Sequence, residues 1–345
     1  MNLSTCWLVI NYQCNNRCIY CYAENTGFPA SENMDLDYAK EILCSIAAAK
    51  VKNCLLIGGE PTLYPNLFEL VQYGAGLGLS VRIITNGRRF SDEGFLNSLI
   101  HSGVRSCSIS IPASNPEDGL YLSQVKQAWD QTVAGLRNVV RSGLSFNSLT
   151  TVNSFNKDKL FEIALFLSDL GVKRIVYNFA TPNCSKDSVN LHSVLDPKIA
   201  AEAIEKAYWL AKSRGIKISF LPTLPLCLFS EQLRAEVFPI DKIGCGCHIF
   251  SGGGAVFDPR GNLLPCTHLT EFRIAKVSDD GGGFAHQHDL LGFLTNPEAA
   301  PAKLRKQIWQ YPVAKCKTCE YWGACIGGCP IFRAAFQPAD YIGAR

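Results

Sequence analysis

The sequence predicts an α/β protein: a parallel sheet built from βαβ units, followed by a small cysteine-rich C-terminal domain. Three observations carry this. Short apolar runs alternate with amphipathic helical stretches through the first two-thirds of the chain. After Pro222 and Pro225, cysteine, glycine and turn residues dominate, which sets a boundary near residue 225 and divides the chain into 1–225 and 226–345. A length of 345 residues, 47% of them hydrophobic, is enough for one large domain with a real core and a smaller one.

Taken in order, residues 7–10 read as a buried strand and 35–51 as a helix capped by Asp35 or Asp37. Residues 54–57 form the second strand, and helix 66–77 stops among glycines. A third strand, 81–84, ends in Thr85-Asn86-Gly87. Ser91 or Asp92 caps the next helix, which runs to about residue 102. Strand 106–111 precedes a longer helix over 125–142. Strands 147–152 and 174–179 are joined by a crossover helix, 157–170. Helix 197–214 and strand 216–221 extend the domain. In parallel sheets, ligands gather at the carboxyl ends of strands, where loops are free to vary. Thr85, Asn86, Ser108, Ser110, Thr151 and Asn153 stand there. Any one of them could simply cap a helix or form a turn. As a set on one rim they suit a polar ligand.

Composition narrows the function. The net charge of +3 is close to balance, and no basic run is interleaved with aromatics, so nucleic acid is not an implied partner. Sixteen cysteines in a chain of this size, without a signal peptide, read as metal ligands in a reducing compartment, which places the protein in the cytoplasm. The apolar stretch 6–10 lacks a basic leader and is far too short to span a bilayer, so no membrane is expected.

The run NYQCNNRCIYCY spaces Cys14, Cys18 and Cys21 as CxxxCxxC just after the first strand. With so many cysteines, chance gives such a triplet at roughly a few per cent. Three thiolates on one loop can hold three corners of an iron–sulfur cube and leave the fourth iron open. Strand 53–57 then ends in Gly58-Gly59-Glu60-Pro61, where glycines permit close backbone approach. The triplet and this GGEP sequence resemble those of the radical S-adenosylmethionine (SAM) enzymes. The resemblance implies a partial (β/α)6 barrel and a 4Fe–4S cluster on Cys14, Cys18 and Cys21 that binds SAM through its open iron. It also implies a SAM site that includes Tyr20 against the adenine and Gly58, Gly59, Glu60 and Pro61 at the methionyl end. One electron would then cleave SAM to methionine and a 5′-deoxyadenosyl radical, which abstracts a substrate hydrogen.

The tail spaces Cys316, Cys319, Cys325 and Cys329 as Cx2Cx5Cx3C, on the order of one in a thousand by chance. Upstream, Cys247, Gly261 and Cys266 form Cx13Gx4C, and 255–265 reads as a hairpin turning at Pro259-Arg260-Gly261. CxxC pairs also serve zinc. Together these motifs resemble the SPASM domain, which holds auxiliary 4Fe–4S clusters. By that resemblance, Cys329 joins Cys266 and one or both of Cys245 and Cys247 at a first auxiliary cluster. Cys316, Cys319 and Cys325 hold a second, one ligand short, because no cysteine follows Cys329. Asp340 near the missing position, an open iron, or a domain with a single auxiliary cluster each fit.

The remaining cysteines, Cys6, Cys44, Cys54, Cys107, Cys184 and Cys227, read as small buried apolar residues, with Cys184 and Cys227 the exceptions to watch. Cys184, Tyr177 and Cys227 are conceivable in a quenching step. His286 and His288 follow a DDGGGF loop that reads as a solvated segment. SPASM proteins mostly act on peptides or protein side chains. The implied function is maturation of a precursor peptide by cross-linking, epimerisation or backbone excision. The rivals are a sulfatase-type maturase, a small-molecule dehydrogenase and an iron–sulfur electron-transfer protein. With the first strand starting by Trp7, a separate leader-recognition protein is expected, together with a flavodoxin or ferredoxin as electron donor.

Overall fold

In a computed structural model of the protein, described over residues 3–23, 28–184, 189–276 and 290–343, one sheet organises the chain. Strands β1 (Thr5–Asn11), β2 (Asn53–Gly58), β3 (Ser80–Thr85), β4 (Ser106–Ser110), β5 (Ser145–Val152) and β6 (Ile175–Phe179) pair parallel in sequence order. Helices α1 (Leu36–Ala48), α2 (Leu67–Gly76), α3 (Glu93–His101), α4 (Pro116–Ser123), α5 (Ala128–Ser142) and α6 (Leu160–Asp169) connect them. A two-stranded pair, β7 (Asn183–Cys184) and β8 (Val189–Asn190), stands apart from this sheet. Helix α7 (Pro197–Ser213) leads to β9 (Ile218–Phe220), which pairs parallel with β6. The sheet stays open, as in a partial barrel of the radical SAM type.

The capping signals work as their chemistry requires. Asp35 accepts from the backbone N–H of Tyr38, and Asp92 rather than Ser91 caps α3 by accepting from Gly94 and Phe95. Helix α4 is absent from the sequence reading, which placed a single helix over 125–142. Its start was nonetheless written in Asn115-Pro116-Glu117-Asp118: Asn115 accepts from the Asp118 N–H, and Pro116 takes the first turn.

Alternate strand residues face opposite sides. Cys6, Leu8, Cys54, Leu56, Ile83, Cys107, Ile109 and Tyr177 are buried against the helices. Cys6, Cys54 and Cys107 are therefore core thiols. Cys44 is only half-buried, and its thiol pairs with the Tyr73 hydroxyl at 3.1 Å. Tyr177 donates to the Leu160 carbonyl at 2.6 Å on the helix side, so it is removed from the quenching candidates. Ser108, Ser110, Asn147, Leu149, Thr151, Val176 and Asn178 lie half-buried on the opposite, inner face, held in line by the pairings Ser108↔Asn147, Ser110↔Leu149 and Thr151↔Asn178.

After α8 (Glu231–Val237) and α9 (His248–Ser251), β10 (Gly254–Phe257) and β11 (Asn262–Leu264) form the expected hairpin. Asp258 closes its turn by accepting from the Arg260 and Asn262 N–H groups. Gly261 sits at φ 72°, and a Cβ there would lie 2.0 Å from the Tyr38 ring, so only glycine fits. The hairpin does not form a sheet of its own. β10 pairs parallel with β1, and β12 (Ala275–Lys276) pairs with β11, giving ten strands in the order β12-β11-β10-β1-β2-β3-β4-β5-β6-β9. The sheet thus crosses the boundary expected near 225. Helices α10 (Leu290–Thr295), α11 (Ala300–Ile308) and α12 (Pro338–Tyr341) complete the tail. His286, His288 and the side chain of Cys184 lie outside the described residues.

Candidate active site

The cysteine triplet occupies the loop leaving β1, and neighbouring elements fix that loop by its backbone. Arg17 and Ile19 donate N–H groups to the carbonyls of Ser123 and Leu122 at the end of α4. Gly59 N–H donates to Asn11 O at 3.0 Å, and Glu60 N–H to Gln13 O at 2.7 Å. The glycines of GGEP serve this contact. A Cβ on Gly58 would lie 2.1 Å from Asn11 O, and one on Gly59 would lie 2.4 Å from both Gln13 O and Tyr12 O. The close approach anticipated from the sequence is therefore made by the protein's own cluster loop.

Glu60 is 1% exposed. Its Oε1 accepts from the Thr62 N–H (3.0 Å), the Thr62 hydroxyl (2.6 Å) and the Thr85 hydroxyl (2.7 Å), and its Oε2 accepts from the Asn86 N–H (2.7 Å). Burial pushes its pKa up against the pull of these bonds. The carboxylate ties the end of β2 to the end of β3. Asn86 Nδ2 in turn donates to Asn15 Oδ1 at 2.7 Å, on the cluster loop itself. Asn153 spends its side chain within its own turn, accepting from Phe155 and Asn156 and donating to Thr151 O. Of the rim residues expected to hold SAM, the side chains of Glu60, Thr85, Asn86 and Asn153 thus bond within the protein. Ser108, Ser110 and Thr151 face the interior.

Sequence reading missed Arg88, Asn147, Tyr22 and His268. Arg88 is buried and donates to Asn15 O, to Asn16 Oδ1 (3.0 Å) and to Gln131 Oε1 (2.7 Å), clamping the cluster loop with a cation beside Cys14. Asn147 accepts from the Ser108 hydroxyl at 2.9 Å. Tyr22, directly after the third cysteine, packs its ring on His268 at 4.6 Å, and His268 Nδ1 lies 3.6 Å from Cys266 Sγ. A continuous contact runs from the N-terminal triplet to the tail.

The donor set fits an iron–sulfur cube. Burial, then the neighbouring thiols, raise Cys18 to about 12; burial raises Cys14 to about 11, with Cys21 adding to it. The Tyr20 hydroxyl stands beside Cys18. Crowded thiols that resist ionisation call for a positive partner. The Tyr12 and Tyr22 hydroxyls nearby are buried without a protein partner. Among the described residues, no three His, Cys, Asp or Glu side chains converge closely enough for one metal ion. A zinc site at Zn–S of about 2.3 Å needs sulfurs within about 3.8 Å of each other. A cube gives each thiolate its own iron.

In the tail, Cys329 stands beside Cys266 and Cys247, and burial raises it to about 12. Cys245 neighbours Cys247, with its thiol 3.8 Å from the Cys247 carbonyl. Cys316 neighbours Cys319 and Cys325. Arg333 feels members of both groups: burial lowers its pKa, while Tyr341 and then Cys316, Cys329 and Cys247 raise it. Asp340 is exposed on α12.

This fold and cysteine loop match those of a radical SAM domain. Residues 8–167 match the Radical SAM superfamily, whose chemistry uses a 4Fe–4S cluster and SAM. The chain is 28% identical over 339 residues to an AdoMet-dependent heme synthase of Methanosarcina barkeri, covering 95% of this chain and 91% of the relative. It is 22% identical to the mycofactocin maturase MftC of Mycobacterium tuberculosis, over 93% of this chain and 76% of that one. Among solved structures, Streptococcus suis SuiB bound to S-adenosylmethionine superposes with a TM-score of 0.73 at 16% identity, covering 99% of this chain and 76% of SuiB. The enzyme anSMEcpe with AdoMet and a Kp18Cys peptide superposes at 0.68 and 16% identity, over 96% and 90%. Among the described residues, no helix is long and apolar enough to cross a membrane.

Proposed function

We propose that the protein modifies a peptide: it removes a hydrogen from a carbon of a peptide held against the inner face of the sheet, and auxiliary clusters in the tail take up the second electron. The observation that carries this reading is the chemistry of the inner face. Ser108, Ser110, Asn147, Thr151 and Asn178 offer neutral donors and acceptors suited to backbone amides. Val9, Tyr12, Val256 and Leu264, on β1, the loop after it, β10 and β11, form a separate buried apolar cluster. Arg82, a cation among the strand residues of this face, lies early in β3, away from the cluster loop.

When bound, the cluster and SAM supply a 5′-deoxyadenosyl radical. The protein's own part is positioning. Glu60 and Asn86 hold the β2 and β3 ends to the cysteine loop, Arg88 clamps that loop, and α4 covers it. Tyr22 and His268 bridge towards Cys266, and the Arg333 cation offsets the charge of cysteine-bound clusters. SuiB has been seen with its precursor peptide SuiA and anSMEcpe with a peptide, and both share this fold. A separate leader-recognition protein and a flavodoxin or ferredoxin belong to the same reading. The product is a cross-link, an epimer or an excised backbone.

A second reading, a tetrapyrrole substrate, is favoured by the end-to-end similarity to the heme synthase. A tetrapyrrole bears several carboxylates, for which the neutral inner face is poorly matched. Anaerobic turnover with SAM and dithionite separates the two. Peptide-dependent 5′-deoxyadenosine, with a mass or stereochemical change in the peptide, supports the first. Deoxyadenosine released only with a tetrapyrrole such as Fe-coproporphyrin III, with a mass change in it, establishes the second and refutes the first.

A further inference from the structure

We propose that Cys227 is the fourth thiolate of the second auxiliary cluster, completing the trio Cys316, Cys319 and Cys325. This rests on the reading of the tail as an auxiliary-cluster domain. Cys227 lies in a short 3-10 turn, Leu226–Leu228, directly after Pro225. Backbone contacts bring this turn against the cysteine-rich block. The Leu226 N–H donates to Cys325 Sγ at 3.4 Å, which places the residue next to Cys227 in contact with one member of the trio. The Cys329 N–H donates to Thr223 O at 2.7 Å, and a Cβ on Gly328 would lie 2.7 Å from Pro225. From the other side, the Gly343 N–H donates to Cys227 Sγ at 3.2 Å. Lys315, adjacent to Cys316, donates to Gly343 O at 3.2 Å. Three separate stretches of chain thus meet at one thiol.

The thiol is unlike those of the core. Cys6, Cys54 and Cys107 are buried behind the sheet, whereas Cys227 is half-buried, as Cys325 is. Cys325 and Cys319 stand near enough to act on this thiol electrostatically. N–H groups aimed at Cys227 and Cys325 are the hydrogen bonds to sulfur that stabilise a cluster's charge. Asp340, the alternative in sequence, is exposed.

A cube closed by four cysteines has no iron open to substrate. The second auxiliary cluster is then an electron relay and does not grip the peptide.

The test is iron and sulfide content with EPR after anaerobic reconstitution, on wild type, Cys319→Ala, Cys227→Ala, Cys227→Ser and Asp340→Ala. The chelated proteins' circular dichroism reports folding. Wild type should hold about twelve irons, at four per cube. Cys319→Ala and Cys227→Ala should both fall to about eight, or show the same three-iron EPR signal, while Asp340→Ala matches wild type. Cys227→Ser should keep the cube with shifted g values. A measurement on the unmutated protein stands beside these. Cys227 should resist alkylation with the clusters in place and react together with Cys316, Cys319 and Cys325 once iron is chelated. If Cys319→Ala loses about four irons and Cys227→Ala none, or if Cys227 alkylates in the loaded protein, Cys227 is not a ligand and the auxiliary reading stands. If Cys319→Ala also keeps the wild-type iron, the second site is no cluster, and both fall.

Discussion

Removing the Glu60 side chain tests whether this carboxylate is a link between loops or a contact to SAM. Glu60→Ala leaves the Thr62 and Asn86 backbone N–H groups without their acceptor. A buried unpaired donor costs about 1–3 kcal/mol. Thr62 is buried and Asn86 half-buried, so the second loss is smaller, and the two together come to about 2–5 kcal/mol. The threonine hydroxyls can rotate to other acceptors and add little. Glu60→Gln keeps an oxygen at the Oε1 position with its three bonds and turns an amide NH2 against the Asn86 N–H. That is one unpaired donor, about 1–3 kcal/mol, partly offset because the buried charge disappears. Urea unfolding of the chelated protein, which contains no SAM, measures this directly. The expected order of stability is wild type, then Gln, then Ala, with SAM binding reduced in the same order. If Glu60→Ala unfolds within about 0.5 kcal/mol of wild type while SAM binding vanishes, the link is wrong and Glu60 is a ligand contact.

Gly59→Ala should abolish assembly of the N-terminal cluster, because its Cβ meets two backbone carbonyls at 2.4 Å. Iron should drop by about four per chain, with the tail's iron retained. Arg88→Met, which unclamps Asn15 and Asn16, should release iron from that cluster to a chelator several-fold faster and lower the cluster's reduction potential, read by EPR-monitored titration. Asn147→Ala removes two part-buried hydrogen bonds, from the Ser108 hydroxyl and to the Ser148 carbonyl, so stability should change by less than about 3 kcal/mol. Substrate-dependent deoxyadenosine formation should weaken through KM, measured by steady-state assay.

Much of the fold was legible because βαβ periodicity is local. The strands and caps followed from apolar runs of the right length and from Asp35 and Asp92, whose capping needs only residues two or three positions away. Helix α4 was missed although Asn115-Pro116 announced it, and with it went the carbonyls that anchor Arg17 and Ile19. The rim was harder. Thr85, Asn86 and Asn153 have the composition of ligand contacts, but their partners, Glu60, Asn15 and Asn156, are fixed by which loops lie side by side. Arg88 carried no sequence signal beyond being a basic residue after a strand.

By itself, the sequence determined which chemistry to look for: the CxxxCxxC triplet, GGEP and the tail spacings supply grouped thiols and close backbone approach, which depend on residue type and short-range order. Only the tertiary structure decided how those pieces meet. It showed that the glycines admit the cluster loop, that the tail hairpin joins β1 as part of the same sheet, and that Cys227 stands with cysteines about ninety to a hundred positions away in the chain. Such encounters are set by packing and backbone hydrogen bonds between distant segments, and no local pattern of residues encodes them.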